Sequence, residues 1–153
     1  MWNWLLSALA IGSSIVLFDG APFYPNGKTL WKLADKIGIT ILGTSAKYID
    51  SCKHSNLKPK NFSKLSKLRA ILSTGSPLSN DSFKYVYKNI KTDLLLGSIS
   101  GGTDIISCFA LANPILPVEE GELQSRGLGM DVHSFDENGQ KVINKKGELV
   151  CTS

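Results

Sequence analysis

The sequence predicts an α/β protein: a parallel sheet with crossover helices, followed by a short antiparallel β-rich tail. Three observations carry that reading. Through roughly the first hundred residues, strand-like apolar runs alternate with segments of helical periodicity, the pattern of parallel strands joined by crossover helices. The two most turn-rich segments, "STGSP" and "SISGGTD", each directly follow a strand-like run, and ligands of open α/β sheets bind outside the carboxyl ends of strands. The last fifty residues change character: "GMDVHSF", "DENGQ" and "GELVC" read as strand, turn and strand, with "DENG" a hairpin signal. The division falls at about residue 104, with 1–104 the α/β part and 105–153 the β-rich part.

The elements follow in order. A helix is expected over Trp2–Ala10, a turn at Ile11–Ser14 and a strand over Ser14–Phe18, with "DGAPFYPNG" as a loop. In "GKTLWKLADKIG", Leu30, Trp31, Leu33, Ala34 and Ile37 fall at helical spacing, and Gly38 closes the helix as a C-terminal cap. The β-branched run Ile39–Leu42 reads as a buried strand. Thr44 or Ser45 caps the helix through "AKYIDSC". A lysine-rich connection leads to a strand at Arg69–Thr74. Ser79 or Asn80 then caps a helix reaching about Lys88, and Asp93–Ser98 forms a strand that ends in the glycine turn "SGGTD".

Composition narrows the class. Apolar residues make up 42% of the 153 and charged residues 20%, ordinary globular usage that excludes a disordered chain. Much of the net charge of +4 comes from Lys53, Lys58, Lys60, Lys64, Lys67 and Arg69. Such a cluster could neutralise phosphates, but no aromatic stacking pattern or nucleic-acid motif accompanies it, and a solvated connection is the better reading. Cys52, Cys108 and Cys151 are odd in number and form no Cys-x-x-Cys; free thiols in a reducing cytosol fit best. His54 and His133 stand apart from any second metal ligand at helical or strand spacing and read as surface residues.

The uncharged opening, Met1–Phe18, raises a membrane or secretion reading. A signal peptide needs a basic region first, and no basic residue precedes Lys28. A spanning helix needs about 20 apolar residues, whereas Asn3, Ser7, Gly12, Ser13 and Ser14 interrupt this one. Core-type helix and strand, exposed at a terminus because the chain begins late, is the expectation here, and a small membrane-anchored protein the weaker alternative.

"SISGGTDI" is the most informative segment chemically. Gly101 and Gly102 let the backbone approach a ligand closely. Thr103 adds a hydroxyl and Asp104 a carboxylate. A hydroxyl beside a carboxylate on a glycine turn suits a nucleotide phosphate and its Mg²⁺, which takes one or two carboxylates plus phosphate oxygens. The same four residues could also be a turn and nothing more.

The order of segments bears on that choice. "MWNW", "FDGAPFYP", "LWKLADKIGITILGTSAKYID", "LRAILSTGSPLS", "SISGGTDIISCFA", "LPV", "GELQSRGLGMDV" and "GELVCTS" together resemble the adenylate-forming (AMP-binding) superfamily of acyl-CoA ligases, and within it the branch that activates acetoacetate. The resemblance covers nearly the whole chain. It implies an adenine-side loop at Gly75, Ser76 and Pro77, and further nucleotide contacts from Ser98, Ser100 and Gly102. It implies that Thr103 touches the α-phosphate and that Asp104, in place of the family's usual Glu, helps hold Mg²⁺. Thr103 and Asp104 are thus the implied catalytic pair. Asn3, Thr74 and Gly101 would line the acyl pocket, where a glycine at position 101 would leave room for acetoacetate. ATP, acetoacetate and coenzyme A are the implied substrates, AMP a product, with neither nucleic acid nor membrane as partner.

The family's phosphate loop ending in Lys, its ribose-gripping Asp and its small C-terminal lid domain have no counterpart among these residues. The expectation is therefore part of a large AMP-binding domain, inactive by itself, with a non-catalytic nucleotide- or acyl-binding remnant as the alternative. Glu119 is a local departure, because the family usually places an aromatic residue after "LPV".

Overall fold

The computed structural model describes residues 2–152, and side chains from residue 5 onward. Its frame is a parallel three-stranded sheet in the order β1-β2-β3. β1 (Ile41–Ser45) pairs with β2 (Ala70–Thr74) from Ile41 opposite Ala70 to Ser45 opposite Thr74, and β2 pairs with β3 (Leu95–Ser98) from Ala70 opposite Leu95 to Ser73 opposite Ser98. The central strand favours apolar residues on both faces because both are covered; Ala70 and Ile71 are buried, and so is the polar Ser73.

The described residues also form four α-helices: α1 (Trp2–Ala10), α2 (Thr29–Ile37), α3 (Ala46–His54) and α4 (Asn80–Asn89). α3 and α4 are the two crossovers, and they touch each other. Their inward faces pack with Trp31 of α2 and Leu96 of β3 into the main core, in which Ile49, Cys52, Ile71, Phe83 and Val86 are sealed from solvent. Both caps fall where sequence placed them. The Ser45 hydroxyl accepts from the Tyr48 N–H at 3.1 Å, and the Ser79 hydroxyl accepts from the Ser82 N–H at 3.3 Å. Gly38 ends α2 in the left-handed conformation (φ 70°). There its N–H donates to the Asp35 carbonyl and the Ile39 N–H to the Ala34 carbonyl, a Schellman exit.

That exit explains a shift in β1. Ile39 is consumed by the cap of α2, and the Thr40 carbonyl accepts the Arg69 and Ala70 N–H groups. Strand pairing therefore runs over Ile41–Ser45 rather than Ile39–Leu42.

The lysine-rich connection keeps Lys58, Lys60, Lys64, Lys67 and Arg69 in solvent, as expected, but its backbone is pinned. The Asp35 carboxylate accepts the Lys64 N–H at 3.0 Å and the Leu65 N–H at 2.6 Å. Lys91 Nζ donates to the Leu65 and Leu68 carbonyls at 3.2 and 2.6 Å. Leu65 and Leu68 are buried between these contacts.

Two small antiparallel sheets follow. One has the order β4-β5-β6, from β4 (Ser100–Gly102), β5 (Ser107–Leu111) and β6 (Ser125–Arg126); the other has the order β8-β7-β9, from β7 (Asp131–Phe135), β8 (Lys141–Val142) and β9 (Glu148–Thr152). The expected hairpin at "DENG" is present: the Asp136 carboxylate accepts the Asn138 and Gln140 N–H groups at 3.0 and 2.9 Å. The expected glycine turn is not. Gly101 and Gly102 lie in β4, paired with Cys108 and Ser107, and the turn spans residues 103–106. The hairpin partner draws the glycines into strand pairing.

Two further expectations, on Ser14–Phe18 and on His133, are corrected. Ser14–Phe18 forms no strand, because no neighbouring strand supplies a ladder. Leu6, Leu9, Ile11 and Leu17 are exposed, as expected of apolar residues at this end of the chain, and no described helix is long and apolar enough to cross a membrane. His133 is no isolated surface residue. Its ring is one-fifth exposed (20%), 2.6 Å from Asp131 Oδ1, with Lys141 Nζ 2.9 Å from the same Nε2.

Two tests follow. Asp35→Ala strips two backbone donors of their acceptor and should lower unfolding stability by about 1–3 kcal/mol in urea titrations. The Thr152 hydroxyl and then His133 hold the Asp131 carboxyl below its ordinary value of 3.8. A carboxyl lowered in the folded state stabilises fully above its unfolded value and loses that effect as pH falls through the folded one. Thermal midpoints followed from about pH 5 to about pH 2 should show a shallower acid-side decline in Asp131→Asn than in the parent chain.

Candidate functional site

Two loops leave adjacent parallel strands at the same end and diverge. β2 ends at Thr74, and Gly75 (φ 89°) redirects the chain through Ser76, Pro77 and Leu78 to the Ser79 cap of α4. This positive φ strains any residue with a side chain, although space at the position is open. β3 ends at Ser98, and the Ile99 N–H still donates to the Ser73 carbonyl at 2.8 Å. That bond extends the parallel pairing by one residue before β4 turns away.

Between the loops lies a cleft of about 370 Å³, lined by Thr74, Gly75, Ser76, Pro77, Leu78, Ser98, Ile99, Ser100 and Gly101, with Gly121 and Leu123 forming the far wall. Every lining residue is uncharged. The cleft offers four hydroxyls, backbone amides and carbonyls, and four apolar side chains. This chemistry suits a flat, neutral, heteroatom-edged ring better than a phosphate or a free carboxylate, which call for cationic donors.

Seven residues singled out from sequence meet here: Thr74, Gly75, Ser76, Pro77, Ser98, Ser100 and Gly101. Gly102, Thr103 and Asp104 do not line the cleft. They stand just beyond it, solvent-exposed, where β4 runs into its hairpin turn. Asn3 lies outside the residues whose side chains are described. Sequence reasoning missed Leu78, Ile99, Gly121 and Leu123. Leu78 and Ile99 adjoin residues that were picked out, but Gly121 and Leu123 come from a distant loop and carry no local signal.

The hairpin itself dictates Gly101. A Cβ there would stand 2.7 Å from the Ser107 carbonyl oxygen and 2.8 Å from Cys108 Sγ, so β5 occupies the side on which a side chain would project. Burial pushes the Cys108 thiol above its ordinary range, keeping it a neutral packing group. Glu119 is exposed beside Leu116 and Pro117, a setting that accepts a charge where an aromatic was expected.

The fold is one known from adenylate-forming ligases. An anthranilate CoA ligase solved with anthranoyl-AMP matches 93% of the chain at TM-score 0.75 and 22% identity, over 26% of its own length. More particularly, the chain is homologous to acetoacetyl-CoA synthetases. The Gallus gallus acetoacetyl-CoA synthetase is 55% identical over 152 residues, 99% of this chain. A solved acetoacetyl-CoA synthetase from Streptomyces lividans matches 99% of the chain at TM-score 0.90 and 43% identity. The chain spans about a quarter of the length of these relatives, 23% of the first and 24% of the second. No protein-family model matches it.

The glycine geometry gives a direct test. Gly101→Ala should cost about 1–3 kcal/mol of unfolding stability, because the added methyl meets β5. Gly102→Ala, with nothing within 4 Å of its Cβ, should stay within about 0.5 kcal/mol of the parent. Denaturant unfolding of the two variants side by side reads the contrast.

Proposed function

We propose that this chain carries the adenine and acyl side of the active site of an ATP-dependent acetoacetate–CoA ligase. The observation behind it is the uncharged, hydroxyl-lined cleft at the carboxyl ends of β2 and β3, in a sequence 55% identical to an acetoacetyl-CoA synthetase. The adenine ring sits between the Gly75–Pro77 loop and Ser98–Ser100, its edge meeting hydroxyls and backbone groups and its faces meeting Pro77 and Ile99. The Thr103 hydroxyl contacts the α-phosphate at the mouth.

In the proposed reaction an acetoacetate carboxylate oxygen attacks the α-phosphorus of ATP. The new O–P bond forms as the bond to the β-phosphate oxygen breaks, and pyrophosphate leaves. The coenzyme A thiolate then attacks the acyl carbonyl and displaces AMP, giving acetoacetyl-CoA. Thr74, which lines the cleft, is assigned to the acyl group, with Asn3 and Gly101 in the same pocket. The cleft orients the adenylate and excludes water from it.

Mg²⁺ fits the donor set at the hairpin turn. Asp104 presents one solvent-facing carboxylate beside the Thr103 hydroxyl, hard oxygen donors of the kind this ion shares with phosphate oxygens. When bound, the ion would neutralise charge building on the phosphates. The three thiols are free, Cys52 and Cys108 buried and Cys151 half-buried, which fits work in the cytoplasm. With no cationic side chain in the cleft, the 153 residues by themselves are proposed to bind adenylates without turning them over.

Equilibrium titration of the full chain with AMP, GMP and acetoacetyl-AMP tests this. Saturable binding of AMP at one site, tighter binding of acetoacetyl-AMP and at least about tenfold weaker binding of GMP are expected. A folded chain that binds none of them, or that binds GMP as well as AMP, overturns the assignment.

A further inference from the structure

The far wall of the cleft raises a question that the two strand-end loops do not answer. Gly121 and Leu123 belong to the stretch 113–124, which leaves the end of β5 and returns at β6 with no regular structure of its own. A loop of that length has high entropy unless something fixes it. Val118 anchors it apolarly against the main core, but its polar contacts with α4 are weak. Lys84 Nζ and Glu120 approach to 3.4 Å with both side chains largely in water, a pair worth little. The Asn80 side chain abuts Gly121.

One side chain does much more. Gln124 Oε1 accepts the Asn113 N–H at 3.0 Å. The two hydrogens of Gln124 Nε2 are shared among the carbonyls of Asn113 at 3.1 Å, Leu116 at 3.0 Å and Pro117 at 3.1 Å. The chemistry fixes the orientation of the amide, because a backbone N–H requires the oxygen and three carbonyls require the nitrogen. One side chain thus joins the first residue of the loop, its middle and its last. Gln124 is itself rooted in the sheet: the next two residues pair with β5, Ser125 opposite Leu111 and Arg126 opposite Ala110. No other common residue supplies both an acceptor and two amide donors at this reach. Glutamate lacks the donors and methionine lacks both.

We propose that Gln124 is a positioning residue for the nucleotide cleft. It holds the 113–124 loop in the one arrangement that presents Gly121 and Leu123 as the far wall. It touches no ligand and acts by preorganisation, sparing the ligand the cost of ordering the loop on binding. The inference rests on the adenylate reading of the cleft given above.

The test uses the full chain, with AMP as probe, and the variants Gln124→Glu and Gln124→Met. Far-UV circular dichroism and thermal unfolding report the fold. Amide hydrogen exchange reports the loop, and titration reports affinity. Both variants should fold, exchange faster at 113–124 than elsewhere, and bind AMP about tenfold more weakly. Lys84→Ala, which removes only the exposed ion pair, should bind within about twofold of the parent.

A lowered thermal midpoint with AMP affinity unchanged in both Gln124 variants would make the residue a stabiliser only and overturn the proposal, as would failure of both to fold. A parent chain that binds no AMP removes the adenylate reading and this inference with it. That outcome differs visibly from a parent that binds and variants that bind equally well.

Discussion

The parallel pairing of Ala70–Thr74 with a strand on each side is the constraint on which everything else in this molecule depends. A central parallel strand must be covered on both faces, which requires the apolar stripes of α3 and α4 on one side. The other side is covered close by: a methyl group on Gly97 would occupy the place of Ala112 Cβ and touch Leu72, so the segment leaving β5 lies directly on the sheet. Because β2 and β3 run the same way, their outgoing loops emerge together. The hydrogen bond from Ile99 to Ser73 keeps them parallel one residue further, and the cleft opens where they diverge.

This placement divides the chemistry. The cleft holds no titratable side chain, so it recognises by shape, hydroxyl and backbone. The carboxylate and hydroxyl suited to phosphate and cation sit at the exposed hairpin turn beyond it. A neutral pocket beside a polar rim matches a nucleotide, whose base is neutral and whose phosphates are charged. The chain covers about a quarter of its relatives.

Much of this was legible in sequence because it is local. Ser45, Ser79 and Gly38 act as caps through their own chemistry, and the apolar stripe of α2 is written in its spacing. "STGSP" and "SISG" declared themselves by following strands. What sequence could not show depends on distant partners. Ser14–Phe18 looks like a strand but has no ladder to join. Gly101 and Gly102 look like a turn until Ser107 and Cys108 pair with them. The lysine-rich connection gave no hint that Asp35 and Lys91 grip its backbone from 29 and 26 residues away. Gly121 and Leu123 reach the cleft only through the 113–124 loop, whose distant ends the Gln124 amide joins.

The most direct measurement of the central claim is a two-dimensional amide NMR titration of the full chain with AMP. Adenine in the cleft predicts the largest shifts at Gly75, Ser76 and Leu78 and at Ser98–Gly101, with smaller ones at Gly121 and Leu123. Shifts confined to the lysine-rich stretch 58–69 would mean that AMP is attracted by surface charge alone. That result would contradict a nucleotide site at the carboxyl ends of the sheet.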